Sequence, residues 1–334
     1  MTAYAVVIPT LVRDTLADCL TALAAATGPK PEEIVLVDDR PEPEPDPDAL
    51  EHPLSVLGEL RERTLVIHSG GRGPAAARNS GARAVTAPWV AFLDDDVKVG
   101  PHWCDQLSQD LAEASPETGG VQGVIAVPLP GERRPTDWER GTAGLAQARW
   151  ITADMAFRAE ALKQVGGFDE RFRRAFREDA DLALRVLDAG WRIRQGRRTT
   201  QHPVRPADRW VSLRAQRGNA DDALMRRLHG PGWWHRAMAP RGRLRNHLAV
   251  TATGLAACAL ALTGHRRAAA AAALSWAAGT GEFAWARIAP GPRTRHEVNT
   301  MLATSVLIPP AATWHWFSGM WRHRDAAPWL EVAP

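Results

Sequence analysis

The chain has 334 residues, 45% of them hydrophobic, which is enough for one large domain or a domain with an appendage. Its formal net charge is only +3. One tyrosine and seven phenylalanines provide few aromatic rings on which nucleic-acid bases could stack, so we expect no nucleic-acid partner. The three cysteines lie far apart without metal-ligand spacing, which fits a reduced cytosolic compartment.

The N-terminus predicts a buried strand followed by a helix. Tyr4–Ile8 is a continuous apolar run that ends at Pro9 and Thr10, and a helix with Asp14 at its N-cap is expected next. No basic region of the kind that opens a signal peptide precedes this strand. We therefore expect a cytoplasmic protein.

The second predicted strand, Ile34–Val37, ends in two acids, Asp38 and Asp39. Two interpretations of this pair stay open: the acids form a turn, or a carboxylate binds the base or ribose of a nucleotide. The segment Pro41–Asp48 then alternates proline with acidic residues, which predicts an extended, solvated stretch.

A glycine-rich loop, Ser69–Pro74, follows the third predicted strand, Leu65–His68, and leads into a helix. Glycines before a helix N-terminus can hold phosphate. The loop is not a P-loop, because no Gly-Lys-Ser/Thr follows, and its position after a third strand and its spacing do not fit a dinucleotide fingerprint. Arg72 and Arg78 either contact a diphosphate or are ordinary surface arginines.

The most informative stretch is Trp89–Val97, in which an apolar run leads directly into Asp94, Asp95 and Asp96. Such a run predicts a buried strand, and an open α/β sheet binds ligands beyond the carboxyl ends of its strands. Three adjacent carboxylates repel one another unless a cation lies among them, and oxygen ligands suit Mg²⁺ or Mn²⁺. The alternative is an acidic turn before the helix that begins at Pro101.

A second acidic cluster follows four further elements. We predict a helix over 101–115, a strand over 121–127, a mobile loop over 128–144 and a strand over 151–157. The next helix begins at Arg177, which places Glu178 and Asp179 in its first turn, where acids complement the helix dipole or accept a proton. His202 stands alone and by itself favours a structural role. The alternation predicts an α/β domain over 1–205 with a doubly wound, mostly parallel sheet.

Residues 206–334 differ in character and predict an Ala- and Trp-rich helical appendage. No Asp, Glu, Lys or Arg occurs over 248–264, 268–281 or 298–321. The first run would span roughly 25 Å as a helix, slightly less than a ~30 Å hydrocarbon core. Residues 192–245 contain fourteen arginines and three acids, a strong excess of positive charge. We therefore expect this part of the chain to bind an anionic membrane surface, at the inner face of the cell membrane. Interfacial helices, a short transmembrane hairpin and a soluble bundle all stay open.

Six motifs, each weak alone, together resemble glycosyltransferase family 2, the inverting enzymes with a GT-A fold. They occur in order as Val7–Thr10, Val37–Asp39, Ala77–Gly81, Phe92–Asp96, Gly166–Glu170 and Glu178–Leu182. The resemblance implies metal-dependent, inverting transfer from a nucleoside-diphosphate sugar to an acceptor hydroxyl on a lipid-linked, glycan or small-molecule acceptor. The Gln-x-x-Arg-Trp motif of processive synthases is missing, which favours a single transfer.

The resemblance also implies roles for individual residues. Those expected to bind the nucleotide sugar are Pro9, Thr10, Asp38, Asp39, Arg72, Arg78, Asp94 and Asp95. Asp96, with Asp94 and His202, would ligate the Mn²⁺ or Mg²⁺ that bridges the diphosphate. Asp179 resembles the base that activates the acceptor, and Glu178 lies beside it.

The proposed chemistry needs acidic groups in two separate places. A divalent cation stabilises the charge that develops on the leaving diphosphate, and inversion needs a base on the opposite face of the sugar. One alternative, a sugar nucleotidyltransferase, would usually carry a Gly-rich loop with Arg and Lys where Pro9–Val12 stands here. Another is a non-catalytic, membrane-bound adaptor with the same fold.

Leu11 and Val12 stand where the family usually has an aromatic residue and an asparagine. The resemblance therefore does not assign the identity of the nucleotide.

Overall fold

The computed structural model describes residues 2–41 and 47–329, so the predicted extended segment Pro41–Asp48 falls mostly outside the described residues. The strands are β1 (Ala5–Thr10), β2 (Glu33–Asp38), β3 (Thr64–His68), β4 (Trp89–Leu93), β5 (Lys98–Val99), β6 (Thr118–Ala126), β7 (Asp154–Arg158) and β8 (Arg192–Gln201). The helices are α1 (Thr15–Ala25), α2 (Glu51–Ser55), α3 (Pro74–Arg83), α4 (Trp103–Ala112), α5 (Asp137–Ala143), α6 (Ala159–Gln164), α7 (Glu178–Asp188), α8 (Val211–Arg214), α9 (Asn219–His229), α10 (Trp233–Arg236), α11 (Leu244–Leu262), α12 (Arg266–Ile288) and α13 (Arg295–Arg322).

The eight strands of the described residues form one sheet in the order β3-β2-β1-β4-β7-β6-β8-β5. The first four positions are all parallel, β7 runs antiparallel between β4 and β6, and β8 returns parallel to β6. The short strand β5 pairs antiparallel with β8. The predicted mostly parallel α/β sheet is therefore confirmed.

Successive side chains of each buried strand point to opposite sides of the sheet, so both faces carry apolar side chains. Each face is covered by a separate hydrophobic core. In β1, Val6 and Ile8 pack into one core with Leu16 and other side chains of α1, while Val7 belongs to the core on the other face. Helix α3 lies so close to that second face that a Cβ at Gly81 would be 2.3 Å from Cγ1 of Val7. This close packing fixes α3, and with it the arginines it carries.

The parallel strands deliver their polar ends to one edge of the sheet. Thr10 at the end of β1 is in register with Asp38 at the end of β2, and β4 runs parallel beside β1 and ends one residue before Asp94. Carboxyl ends of neighbouring parallel strands meet at the same edge, which is where ligands bind in such folds. The acids predicted at strand ends are thus neighbours in space.

In the second half of the α/β part, one prediction is wrong and one strand was missed. The stretch 128–144, expected to be a mobile loop, contains α5, whose start is closed by a capping box of Thr136 and Glu139. Asp137 at the first turn of α5 also pairs at 2.8 Å with Arg287 of α12. The ten-residue strand β8 was not predicted at all.

The C-terminal region is helical, as predicted, and it packs on the α/β part through a third core. Leu184 of α7 and Phe172 contact the cluster formed with Met225 of α9 and Trp233 of α10. The proposed division between residues 205 and 206 stays a prediction, and this core crosses it. Among the described residues, no helix combines the length and apolar character needed to cross a bilayer.

The start of α7 is held by this C-terminal part. Arg177, directly before α7, has a φ of 76°, a left-handed conformation that costs a non-glycine residue ~1–3 kcal/mol. Its Nε donates to Asp222 of α9 at 2.7 Å, and its guanidinium lies 4.8 Å from the centre of the Trp233 ring. These contacts fix the turn that presents Glu178 and Asp179.

Candidate active site

Two adjoining cavities open at the carboxyl edge of the sheet. Cavity A, of about 400 Å³, is lined by Pro9, Thr10 and the aspartate triplet, and cavity B, of about 590 Å³, by Glu178, Asp179 and His202. The residues common to both are Arg78, Asp94, Ala175 and Arg205. The two acidic clusters of the sequence therefore face one continuous space from different sides.

Asp94, Asp96 and His202 form a group suited to a divalent cation. One potential ligand atom from each lies within 4.8 Å of the others. Both carboxylate oxygens of Asp96 are buried and lack a well-directed hydrogen bond among the described residues, although Oδ2 forms an ion pair with Arg205. Nδ1 of His202 lies 3.2 Å from the carbonyl oxygen of Pro203, and a proton there leaves the Nε2 lone pair facing Asp96. Carboxylate and imidazole ligands fit Mn²⁺ or Mg²⁺.

The electrostatics of Asp96 also favour a cation. Burial, followed by the nearby charge of Asp94, raises the pKa of Asp96 above its usual range. Nε of Arg205 lies 2.5 Å from Oδ2 of Asp96 and supplies positive charge from the loop after β8. Arg205 therefore competes for the same carboxylate that would ligate a metal ion.

Replacing Arg205 with glutamine is expected to raise the affinity for Mn²⁺ in the absence of nucleotide by about fivefold, because an ion pair with a half-exposed arginine is worth ~1 kcal/mol. Calorimetric titration with Mn²⁺ measures this. Arg13→Gln is the matched control, since Arg13 pairs with the neighbouring Asp95. Equal Mn²⁺ affinity in wild type and Arg205→Gln would rule out competition at Asp96.

Asp95 is not part of the metal-binding group and instead connects the end of β1 to the aspartate triplet. Its carboxylate accepts a hydrogen bond from Oγ1 of Thr10 at 2.7 Å and two from Arg13 at 2.8 and 3.0 Å. Thr10 in turn accepts from the backbone of Val12 at 2.8 Å. Asp95 thus shapes the wall of cavity A.

Asp39 holds the glycine-rich loop in place. Its carboxylate accepts hydrogen bonds from Ser69 at 2.6 Å, from the backbone of Arg72 at 3.0 Å and from that of Gly73 at 2.8 Å. Gly73 has a φ of 97°, and a Cβ there would lie 2.6 Å from the carbonyl oxygen of Arg173. Asp39 and Gly73 line cavity A together, so this carboxylate positions the loop beside the acids.

Two of the predicted ligand-binding residues do not line either cavity. Asp38 is fully buried and pairs with Arg40 at 2.7 Å. The side chain of Arg72 extends over the surface to Glu170, at 3.1 Å. The geometry therefore gives no support to direct contact of Asp38 or Arg72 with a nucleotide sugar.

Arg78 links the two acidic clusters. This buried guanidinium donates to Asp94 at 2.7 Å and to Glu178 at 2.9 Å. Both charged partners raise the pKa of Arg78, although burial opposes them, so it stays cationic. Arg78 is thus a buried cation at the junction of the cavities and not an ordinary surface arginine, and its contact with a diphosphate stays a prediction.

The pair at the start of α7 divides into a buried acid and a more accessible one. Glu178 is buried, and the second oxygen of its carboxylate has no donor among the described residues. Asp179 lines cavity B and accepts one hydrogen bond, from the backbone of Ala180 at 2.7 Å. Burial raises the pKa of Asp179 to about 6 and, together with the charge of Asp179, that of Glu178 to about 8. A half-buried carboxylate with such a pKa can accept a proton near neutral pH.

Several residues that shape the cavities were not predicted from sequence. Arg13 and Arg205 were among many arginines, and nothing in their local sequence marked them. Trp138 of α5 lines cavity B, and its Nε1 donates to the carbonyl oxygen of Arg205 at 2.9 Å. The capping pattern Thr136-x-x-Glu139 was the available signal that this segment is ordered.

The sequence matches one family model, described as glycosyl transferase family 2, over residues 5–176. It is 32% identical over 140 residues to a pre-mycofactocin glycosyltransferase of Mycobacterium tuberculosis, covering 38% of this chain and 29% of the relative. It is 27% identical over 215 residues to validoxylamine A glucosyltransferase of Streptomyces hygroscopicus subsp. limoneus, covering 54% and 47% of the two chains. The matches thus span less than half the length of these curated relatives.

The fold is similar to that of a mannosyltransferase from Pyrobaculum calidifontis, solved in complex with GDP-Man and Mn²⁺. The TM-score is 0.52 at 18% identity, and the match covers 97% of this chain and 87% of that one. At this identity the similarity concerns the fold alone. It confirms the predicted GT-A-like architecture, including the helical C-terminal region.

Proposed function

Because the chain belongs to glycosyl transferase family 2, we propose that it transfers one sugar, with inversion, from a nucleoside-diphosphate sugar to an acceptor hydroxyl, in a reaction that requires Mn²⁺ or Mg²⁺. The observation that carries this proposal is the placement of Asp96 and Asp179 around one continuous space. The first belongs to a group fit for a metal, and the second is an accessible acid on another side.

Cavity A is the proposed donor site. Pro9, Thr10 and Asp39 line it together with Asp94 and Asp96, so the nucleoside would lie against the first three and the diphosphate beside the two acids. A divalent cation held by Asp94, Asp96 and His202 would supply positive charge to the leaving diphosphate. Arg205, once released from Asp96, is within the same cavity and would add a further positive charge beside the phosphates.

Cavity B is the proposed acceptor site. Trp138, Leu145 and Ile151 give it apolar surface, and Asp179 is the acid positioned to take the proton of an incoming hydroxyl. Glu178, held by Arg78, supports the start of α7 beside Asp179. The volume of about 590 Å³ and the mixed polar and apolar lining suit a lipid-linked, glycan or small-molecule acceptor.

The direct experiment is a screen of nucleoside-diphosphate sugars with Mn²⁺, Mg²⁺ or a chelator. We expect one nucleotide class to raise the unfolding temperature only when a divalent cation is present, and slow donor hydrolysis to follow the same pattern. Stabilisation that is equal with and without the cation would contradict metal dependence. Stabilisation by no nucleotide sugar would favour the non-catalytic adaptor.

We also propose that the hairpin of α11 and α12 enters the surface of an anionic membrane, at the inner face of the cell membrane. Three of its leucines are largely exposed, Leu255 at 68%, Leu262 at 87% and Leu274 at 72%. Exposed apolar side chains on this scale mark an interaction surface.

Replacing Leu255, Leu262 and Leu274 together with glutamine should weaken co-sedimentation with anionic vesicles by at least about 100-fold, because each buried leucine contributes ~1.5–3 kcal/mol. Leu65→Gln with Leu129→Gln is the control, since these exposed leucines lie outside the hairpin. Unchanged vesicle binding by the triple variant would refute insertion of the hairpin.

A further inference from the structure

A pocket outside the active site is unusually rich in arginine and tryptophan. It has a volume of about 440 Å³ and lies where α9, α10 and the start of α11 meet the residue before α7. We name it the arginine pocket, defined by Arg177, Arg226, Arg241, Arg245, Asp222, Trp233, Trp234 and Trp316. Nothing in the proposed transfer reaction uses it.

The pocket carries an excess of positive charge. Its single carboxylate, Asp222, already accepts a hydrogen bond from Arg177 at 2.7 Å. Among the described residues, no carboxylate lies within 4.0 Å of the guanidinium of Arg226, Arg241 or Arg245. Four arginines and one aspartate leave a formal charge of +3 around one cavity.

The tryptophans restrict the arginines. The guanidinium of Arg241 lies 5.2 Å from the centre of the Trp234 ring, and that of Arg177 lies 4.8 Å from the centre of the Trp233 ring. An arginine stacked on an aromatic face keeps its N–H edge available for a planar, bidentate acceptor. Phosphate oxygens are such acceptors, and arginine is enriched wherever they are recognised in this way.

The position of the pocket indicates where the phosphate comes from. Arg245 and Leu248 lie in the first turns of α11, and the exposed apolar surface of the same helix continues to Leu262. If the phosphate bound at the base of the hairpin belongs to a lipid, the alkyl chains of that lipid would lie along the apolar side chains of the hairpin. A phospholipid headgroup fits this arrangement, and a free phosphate ester shares its charge and oxygen geometry.

We propose that the arginine pocket binds an exposed phosphate monoester, supplied by a phospholipid headgroup or by a soluble phosphate ester. The pocket lies next to Arg177, whose left-handed conformation sets the start of α7, so its occupant contacts the residue before the acidic pair. The proposal does not depend on sugar transfer, because binding is measured without donor or acceptor.

The test uses the full chain with glycerol phosphate as soluble probe. The double variant Arg241→Gln with Arg245→Gln should bind glycerol phosphate at least about tenfold more weakly than wild type, because each of the two substitutions removes a charged hydrogen-bond donor. Arg61→Gln with Arg63→Gln loses the same charge at two exposed arginines outside the pocket and the hairpin and should bind as wild type. Calorimetry measures affinity, and the unfolding temperature of each variant without probe checks that it is folded. Equal affinity in all three proteins, or no binding by wild type, would overturn the proposal.

A second arm separates the two sources. Phosphatidylcholine vesicles with and without phosphatidic acid are sedimented with each protein. If phosphatidic acid increases binding of wild type and of the Arg61/Arg63 variant but not of the pocket variant, the ligand is a lipid headgroup. If the pocket variant differs only with glycerol phosphate, the ligand is a soluble phosphate ester. Both results support a phosphate site, whereas an equal loss in both variants in both arms reduces it to general charge attraction and overturns it.

Discussion

Replacing Asp96 with asparagine should abolish Mn²⁺-dependent binding of the nucleotide sugar, with a loss of at least about 100-fold in metal affinity. Mutation of groups that merely support a metal ligand already costs ~10–100-fold, and both oxygens of Asp96 are buried without a well-directed hydrogen bond among the described residues. Without its charge, Asp94 and His202 remain as the other members of the group. Calorimetry with Mn²⁺, first alone and then with the matching nucleoside diphosphate, measures both losses.

Asp95→Asn is the matched control for this prediction. The carboxylate of Asp95 contacts Thr10 and Arg13 and is not part of the metal-binding group. We expect this variant to retain Mn²⁺ affinity while its unfolding temperature falls, since it loses an ion pair at the end of β1. If Asp96→Asn bound Mn²⁺ as wild type does, or if both variants lost the metal equally, the assignment of Asp96 as a ligand would be wrong.

Asp179→Asn should reduce sugar transfer by ~10²–10⁴-fold, the usual contribution of a general base. Asparagine keeps the size of the side chain and can still accept from the backbone of Ala180, but it does not readily take a proton. Donor affinity should barely change, because the metal-binding group and cavity A lie on other residues. Transfer rates and donor affinity are measured side by side, with Glu178→Gln as the comparison. Near-normal transfer by Asp179→Asn would move the base to Glu178, the neighbouring acid in the first turn of α7.

The pH dependence of transfer distinguishes the same two acids. A general base must be deprotonated, so the rate should rise as the pH increases through the pKa of the base and then level off. Burial raises the pKa of Asp179 to about 6 and that of Glu178 to about 8. We expect the rising limb of kcat near pH 6 and its loss in Asp179→Asn. A limb near pH 8 that disappears in Glu178→Gln would assign the proton transfer to Glu178.

The four parallel strands could be predicted because their signal is local. Each of β1, β2 and β4 is a run of apolar residues buried on both faces, and each ends at the polar residues that reach the sheet edge. Strand β8 could not be predicted in this way, because Arg192–Gln201 contains four arginines and no apolar run. Its burial depends on partners far away in sequence: Arg198 is fully buried with Asp154 and Asp110.

In the candidate site, too, residues with a local sequence signal could be predicted, and residues whose roles depend on distant partners could not. Asp94, Asp96 and Asp179 lie at a strand end or a helix start that the sequence marks, so their placement followed from the predicted elements. The roles of Arg78, Arg205 and Arg13 depend on which carboxylate each reaches across the fold, and one arginine looks like another in sequence. For Asp38 the motif was misleading. Its carboxylate forms an ion pair with Arg40, only two residues away, and does not face the cavity where a ligand would bind.

The third core has a consequence for how this protein can change over generations. Leu184 packs with Met225 and Trp233, and Arg177 is tied to Asp222, so the start of α7 is built from both sides of residue 205. The stretch matched by the family ends at residue 176, one residue before that turn. A recombination event that exchanged everything after 205 for the tail of a relative would separate the acidic pair from the side chains that hold it. Inheritance of the proposed acceptor site therefore requires the chain to be kept intact through Ala237, whereas the exposed side chains of the α11–α12 hairpin are under no such constraint.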